Sequence, residues 1–304
     1  MSANVPVQRQ PGRFLYLQLA GLILGWALNW PLTKTILGYI SPASFLLWRF
    51  SGAIVIMTAI MIARREPLLP VPGERTRLAV IGIFQMGLCA GLVTSALPYL
   101  GAGRASVLVY TMQLWALPLG WLVAGERITR IGVLGGMAVF SGLLLFMNPA
   151  LVNWRDSKVL FGNTLVLISA ISWAMGACLY RRYKWQTPFW SQIFWQILWS
   201  GVIVLALEPL MGPRGRVVWN IAVIGVLAYN WLGTTILCLF LWNRVLLLMR
   251  ASSASQVVSI TPVIAVLSSA VLTGETVTPS IGISVALIVG GICLAVRNRE
   301  VCAV

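Results

Sequence analysis

The chain has 304 residues, 59% of them hydrophobic and only 10% charged, against about 25% charged in soluble domains. With a mean hydropathy of +0.89, it has too few polar residues to clothe a soluble core, so lipid must cover most of its surface. The net charge of +15 comes from 22 Lys+Arg against 7 Asp+Glu, set in short loops, and points to membrane orientation and not to nucleic acid.

About 20 apolar residues cross the hydrocarbon core. On that rule the chain divides into ten spans, at roughly 14–33, 43–63, 78–99, 104–124, 130–148, 160–181, 188–208, 218–243, 251–273 and 279–297. The first follows Arg9 and Arg13 and reads as a retained helix, not a cleaved leader, because nine spans follow. With the N-terminus inside, 15 basic residues fall on the cytoplasmic side and 6 on the outer side, with Arg49 left within a span. That bias predicts ten spans with both termini cytoplasmic.

An internal repeat runs through these spans. Ala79-Val80-Ile81-Gly82 returns as Ala222-Val223-Ile224-Gly225. Ala105-Ser106 and Gly125-Glu126 return as Ala254-Ser255 and Gly274-Glu275, and Trp26-Ala27 returns as Trp173-Ala174. The expected fold is an all-α membrane protein of two five-helix halves, residues 1–150 and 151–304, acting as one unit. Five is odd, so the second half enters from the opposite side, an inverted arrangement typical of secondary transporters.

Candidate path residues follow in chain order. Trp26 belongs to the repeat, and Asn29-Trp30-Pro31 is a kink signal that puts Asn29 and Thr33 on one face. Arg49 lies about 9 Å inside the outer end of span two at 1.5 Å per residue; Glu275 or Asp156 as a structural partner, or a substrate carboxylate, are its two readings. Gln85 with Cys89, and Asn230 with Thr234 and Cys238, fall at helical spacing in spans three and eight, and Tyr99 aligns with Trp242. Asn and Gln amides suit both ends of a zwitterion; interhelical bonding explains them equally well.

In span four Ser106, Tyr110 and Gln113 share a face, matched in span nine by Ser255, Ser259 and Pro262. A polar stripe faces protein or a water-filled path, and Pro262 frees a backbone carbonyl. Trp26 and Trp173, paired by the repeat, suit a cavity wall, and aromatic walls suit an apolar or aromatic amino acid. Glu126 and Glu275 close spans four and nine and read as helix-end anchors.

These landmarks also resemble a known family. Gly25-Trp26, Pro42 with Trp48-Arg49-Phe50, and the Gly-Glu pairs closing spans four and nine are similar to the EamA-type drug/metabolite transporters, over nearly the whole chain. The resemblance implies a ten-helix exporter of amino acids, other metabolites or drugs, nearest to the bacterial aromatic amino acid exporters. One departure stands out: the second half has Trp195-Gln196 where an Arg-Phe pair would fall after Pro188.

The expected function is therefore export of small metabolites, foremost aromatic and other neutral amino acids, across a bacterial inner membrane by alternating access. An exporter of drug-like solutes and a non-transporting scaffold are the alternatives. Expected partners are an amino acid-like solute and the lipid bilayer, with no nucleic acid and a monomer or weak homodimer. No cofactor or metal is expected, since there is no His and no CxxC among five cysteines. With no clustered acid-base site, Walker motif or HExxH, an enzyme is not expected. All seven carboxylates fall at helix ends or in loops, which predicts a facilitator or coupling through those end carboxylates.

Overall fold

The computed structural model describes residues 13–97, 99–100, 105, 108–147, 155–211, 215–264 and 279–297. Among these residues the regular structure is all helix, with no strand. The helices are α1 (Arg13–Ile36), α2 (Pro42–Ala63), α3 (Arg75–Ala96), α4 (Met112–Ala124) and α5 (Arg130–Met147). They continue as α6 (Ser157–Arg182), α7 (Phe189–Leu207), α8 (Ile221–Leu248), α9 (Ala251–Val258) and α10 (Pro279–Arg297).

Six of them, α1, α2, α3, α6, α7 and α8, are long and apolar enough to cross a membrane. Their surfaces invert the soluble pattern. Leu17, Val55, Leu134 and Leu205 point outward, while Gln85, Gln113, Gln196, Asn230 and Asn243 are fully buried. An apolar outside and an amide-rich inside suit hydrocarbon and not water. The chain is a multi-pass membrane protein.

Local chemistry sets the helix ends. Ser41 accepts the Ser44 N–H at 3.2 Å ahead of Pro42, and Asn220 accepts the Val223 N–H at 2.9 Å, each satisfying an orphan donor of the first turn. Gly125 ends α4 in the left-handed region at φ 68, a conformation that favours glycine. Pro31 lies within α1, which continues through it to Ile36.

Two departures from regular helix are not visible in the hydropathy. The backbone is π-helical over Ile83–Leu88 in α3 and over Asn230–Leu237 in α8. The helical spacing read for Gln85 and Asn230 is thus locally widened, because i→i+5 bonding adds a residue to the turn. Span four turns at residues 110–111 before α4 begins, and span nine turns at 259–260 before a short helical stretch at 261–264. Both spans are interrupted, not continuous as expected.

Lipid gives little hydrophobic drive between helices, so close contact depends on small residues. The most extensive pairing is α5 against α10. There a β-carbon on Gly142 would fall 2.8 Å from the Ser284 carbonyl oxygen, and one on Gly291 would fall 2.5 Å from that of Gly135. Gly136 of α5 packs elsewhere, its β-carbon position lying 2.9 Å from Leu117 of α4, while β-carbons on Gly282 and Gly290 of α10 would meet nothing within 4 Å and so lie off this contact face. Elsewhere α3 packs on α6 and α7, α1 on α8, and α2 on α7 and α8.

Gly142→Leu and Gly291→Leu should therefore each destabilise the detergent-purified protein by about 1–3 kcal/mol through overpacking. Gly290→Leu should leave the thermal melt unchanged. Melting followed by intrinsic fluorescence checks this, and equal melts for all three would contradict the packing.

Candidate functional site

A cavity of about 200 Å³ opens between α1, α2, α3 and the start of span four. Its wall takes Trp26, Asn29, Trp30 and Thr33 from the C-terminal part of α1, and Pro42 to Arg49 from the first turns of α2. Met86 to Leu97 of α3, Val109, Tyr110 and Met112 of span four, and Trp173 of α6 complete it. Most of that wall is aromatic or aliphatic, with a few polar groups set into it. That is the usual make-up of a small-molecule site.

Arg49 is the one charged residue among the described lining residues. Its Nε donates to Thr235 Oγ1 of α8 at 2.9 Å, and its guanidinium carbon stands 5.8 Å from the Phe50 ring. Asp156, considered above as its partner, instead accepts the Lys158 N–H at 2.9 Å and caps α6. Thr33 Oγ1 donates to Asn29 Oδ1 at 3.3 Å, so these two share a face on the wall.

Two tryptophans of the cavity wall, Trp26 and Trp173, pack with a third behind them. Trp26 lies 5.3 Å from Trp173 at an interplanar angle of 80°, and Trp242 packs 5.7 Å and 5.8 Å from the two. Trp242 is fully buried, and the indole N–H groups of Trp173 and Trp242 have no acceptor among the described residues.

Of the path residues read from the sequence, Trp26, Asn29, Tyr110 and Trp173 line this cavity. The others lie elsewhere. Gln85 is buried where α6 approaches most closely: a β-carbon on Gly176 would stand 2.8 Å from its backbone nitrogen. Tyr99 packs edge-on to Phe161 at 5.4 Å. Asn230 Nδ2 donates to the Val226 carbonyl at 2.9 Å, and Thr234 Oγ1 donates to Asn230 Oδ1 at 3.0 Å. Ser259 donates to Gln113 across the two interrupted spans, and Pro262 is buried beside them. Ser106 and Glu275 lie outside the described residues.

At the opposite end a wider cavity of about 780 Å³ opens beside Glu126, Arg182, Thr187 and Gln192, and hydrogen bonds join distant segments around it. Glu74, at the start of α3, accepts the N–H groups of Gln186 and Thr187 at 2.9 Å each, and the Thr187 hydroxyl. Tyr180 donates to Gln192 Oε1 at 2.6 Å, and Gln192 Nε2 donates to the Thr187 carbonyl at 2.7 Å. Glu126 accepts the Ala251 N–H and the Ser252 hydroxyl, both at 2.7 Å, at the start of α9. Sequence reasoning passed over Thr235, Trp242, Glu74 and Thr187. Only Trp242 carried a signal, its alignment with Tyr99 in the repeat.

A lipid-clad helical protein with an open aromatic cavity among its helices has the build of a membrane carrier, and comparison with known proteins agrees. The model of the EamA-like transporter family matches residues 13–148 and again residues 160–297, so the chain belongs to the EamA-like transporter family. It is 25% identical to Uncharacterized transporter YoaV of Bacillus subtilis, over 91% of this chain and 94% of that one. It is 26% identical to Uncharacterized transporter YvbV of the same organism, over 91% and 90%. A crystal structure of a protein 19% identical superposes with a TM-score of 0.78, over 94% of this chain and 98% of the other; that likeness concerns the fold.

Burial alone would raise the Glu74 carboxyl, but the Thr187 hydroxyl, the two backbone N–H groups and nearby Arg77 outweigh it and hold the group below the usual range. A lowered folded value means the stabilisation is whole above the unfolded value, about 4.3 for Glu, and is lost as pH falls through the folded value. Glu74→Gln should therefore melt below the unsubstituted protein at neutral pH, with the gap closing as pH falls below about 4.3. A gap independent of pH in thermal melts would contradict this account.

Proposed function

We propose that this chain is a secondary transporter that exports small metabolites, foremost aromatic and other neutral amino acids, across a bacterial inner membrane by alternating access. The observation that carries the reading is the cavity, open between α1 and α2 and walled by Trp26 and Trp173, with Trp242 packed behind them. Together with the second cavity beside Glu126 and Thr187 at the opposite end, it supports a path with an opening on each side of the tryptophans. Its 200 Å³ falls short of the roughly 300–1,000 Å³ of sites for drug-sized ligands. That favours a small metabolite over a drug-like solute.

The reading includes ten spans in two inverted halves, with both termini cytoplasmic. Three observations support it. The family matches once in each half. Gly142 of α5 meets Ser284 while Gly291 of α10 meets Gly135, and the two contacts stand at the same offset as Glu126 and Glu275. The interruptions at 110–111 and 259–260 also keep that offset, and discontinuous helices commonly build transporter binding sites. One chain holds both halves, so a monomer suffices, and a weak homodimer is compatible. No carboxylate stands among the described cavity residues, which supports facilitated movement down the solute's own gradient. Export is the direction carried by the family resemblance.

Counterflow uptake of labelled Phe, Trp and Thr into liposomes holding the purified protein tests the reading. Saturable exchange of Phe and Trp is expected, reduced at least fivefold by Trp26→Ala, on the scale of losing one aromatic contact. No exchange of any amino acid would overturn the substrate class.

A further inference from the structure

Among the described residues Arg49 has no counter-charge. Of its five N–H donors, the one on Nε is used by Thr235. The terminal nitrogens have no hydrogen-bond partner among the described residues, and no acid stands among the described cavity residues. Thr235 is neutral, so it orients the guanidinium without compensating it. Cations inside a membrane protein pair with anions or carbonyls, or mark a solute pathway. Here the pathway reading has the geometry: the fork is tethered from α8 at one corner, beside an aromatic cavity, with its terminal nitrogens unpartnered among the described residues.

We propose that Arg49 is the anchor for a solute carboxylate, so that this site takes aromatic or apolar carboxylates and has no requirement for their amino group. This rests on reading the cavity as the solute site. A guanidinium fork matches a carboxylate with two parallel hydrogen bonds. Trp26, Trp30 and Trp173 offer the aromatic wall for the rest of the solute. The described wall offers an ammonium only neutral acceptors such as Asn29 Oδ1, already engaged by Thr33. An amine without a carboxylate would bring a second positive charge beside Arg49 in a low-dielectric site, where like charges repel strongly. Recognition thus depends on the acid end of the solute and tolerates loss of the amine.

Isothermal titration of the purified full chain with L-phenylalanine, 3-phenylpropionate and 2-phenylethylamine separates the possibilities. Both acids should bind within about fivefold of each other, and the amine should bind at least tenfold more weakly, the scale of one charge-assisted pair. Arg49→Gln should weaken both acids at least tenfold, and Arg49→Lys should restore only part, because an ammonium lacks the fork. Thr235→Val, which keeps the charge and frees its orientation, should weaken both acids severalfold. It decides the point if Arg49→Gln fails to fold. Equal binding of the amine, no binding of either acid, or unchanged affinity in Arg49→Gln would overturn the proposal. Acid binding without counterflow leaves the anchor standing and removes the transport reading. Counterflow of the amine but not of the acids does the reverse.

Discussion

Hydrocarbon offers no hydrogen bonds, so every backbone N–H and C=O at membrane depth must find its partner within the protein. The rest of this structure follows from that constraint. It makes the lipid-facing stretches continuous helix, and it confines irregular backbone to places the protein itself covers. The π-helical segments hold the buried residues Gln85, Met86, Asn230 and Thr234. The interruptions of spans four and nine fall on Tyr110, Thr111 and Ser259, all buried. Released groups there are taken up locally: Thr111 Oγ1 donates to the Leu108 carbonyl at 2.8 Å, and Ser259 Oγ to the Ser255 carbonyl at 3.0 Å. The interruptions of spans four and nine lie where helices meet the cavity and the floor beneath it, while the π-helical turn of α8 also presents Leu232 and Leu237 outward.

The same constraint decides what the sequence reveals. Helix positions were legible because an apolar run of given length has few other solutions in a bilayer. Arg13–Ile36, Pro42–Ala63 and Ser157–Arg182 lie within a few residues of the spans read from hydropathy. The Asn29–Thr33 face was legible because α1 stays regular there, and the Trp26–Trp173 contact because the repeat paired them. What failed was anything that depends on a third partner. The Thr235 hydroxyl reaches Arg49 across 186 positions of sequence, and nothing in either local pattern announces it. Gln85 and Asn230 resembled path residues by type, yet π-helical turns and close helix approach hold them in the packed interior. Glu74 resembled any loop acid until Gln186 and Thr187 came to meet it.

Glu74 and Glu126 do similar work at the opposite end. Each carboxylate stands at one helix end and accepts N–H groups from a segment far along the chain: Gln186 and Thr187 before α7, Ala251 at the start of α9. Unpaired N–H groups at a helix start attract negative charge, so these contacts satisfy donors that would otherwise be orphaned. They join residues of the first 150 positions to residues beyond them, which makes them ties between the two parts of the chain and not supports within one.

The two barriers beneath the cavity differ in what water can replace. If the polar ties part, the Glu74 and Glu126 carboxylates and the N–H groups they hold exchange protein partners for water, and much of the lost hydrogen bonding is recovered. The tryptophan floor is different. Parting Trp26, Trp173 and Trp242 uncovers apolar surface worth about 25 cal/mol per Å², and water does not compensate for that. A solute that slides an aromatic or apolar face between the rings does. The polar ties therefore set a barrier that solvent lowers, while the aromatic floor sets one that a solute of matching surface lowers. Selectivity in such an arrangement belongs to the floor and to the charge beside it, and the polar ties hold the two parts of the chain together at the opposite end.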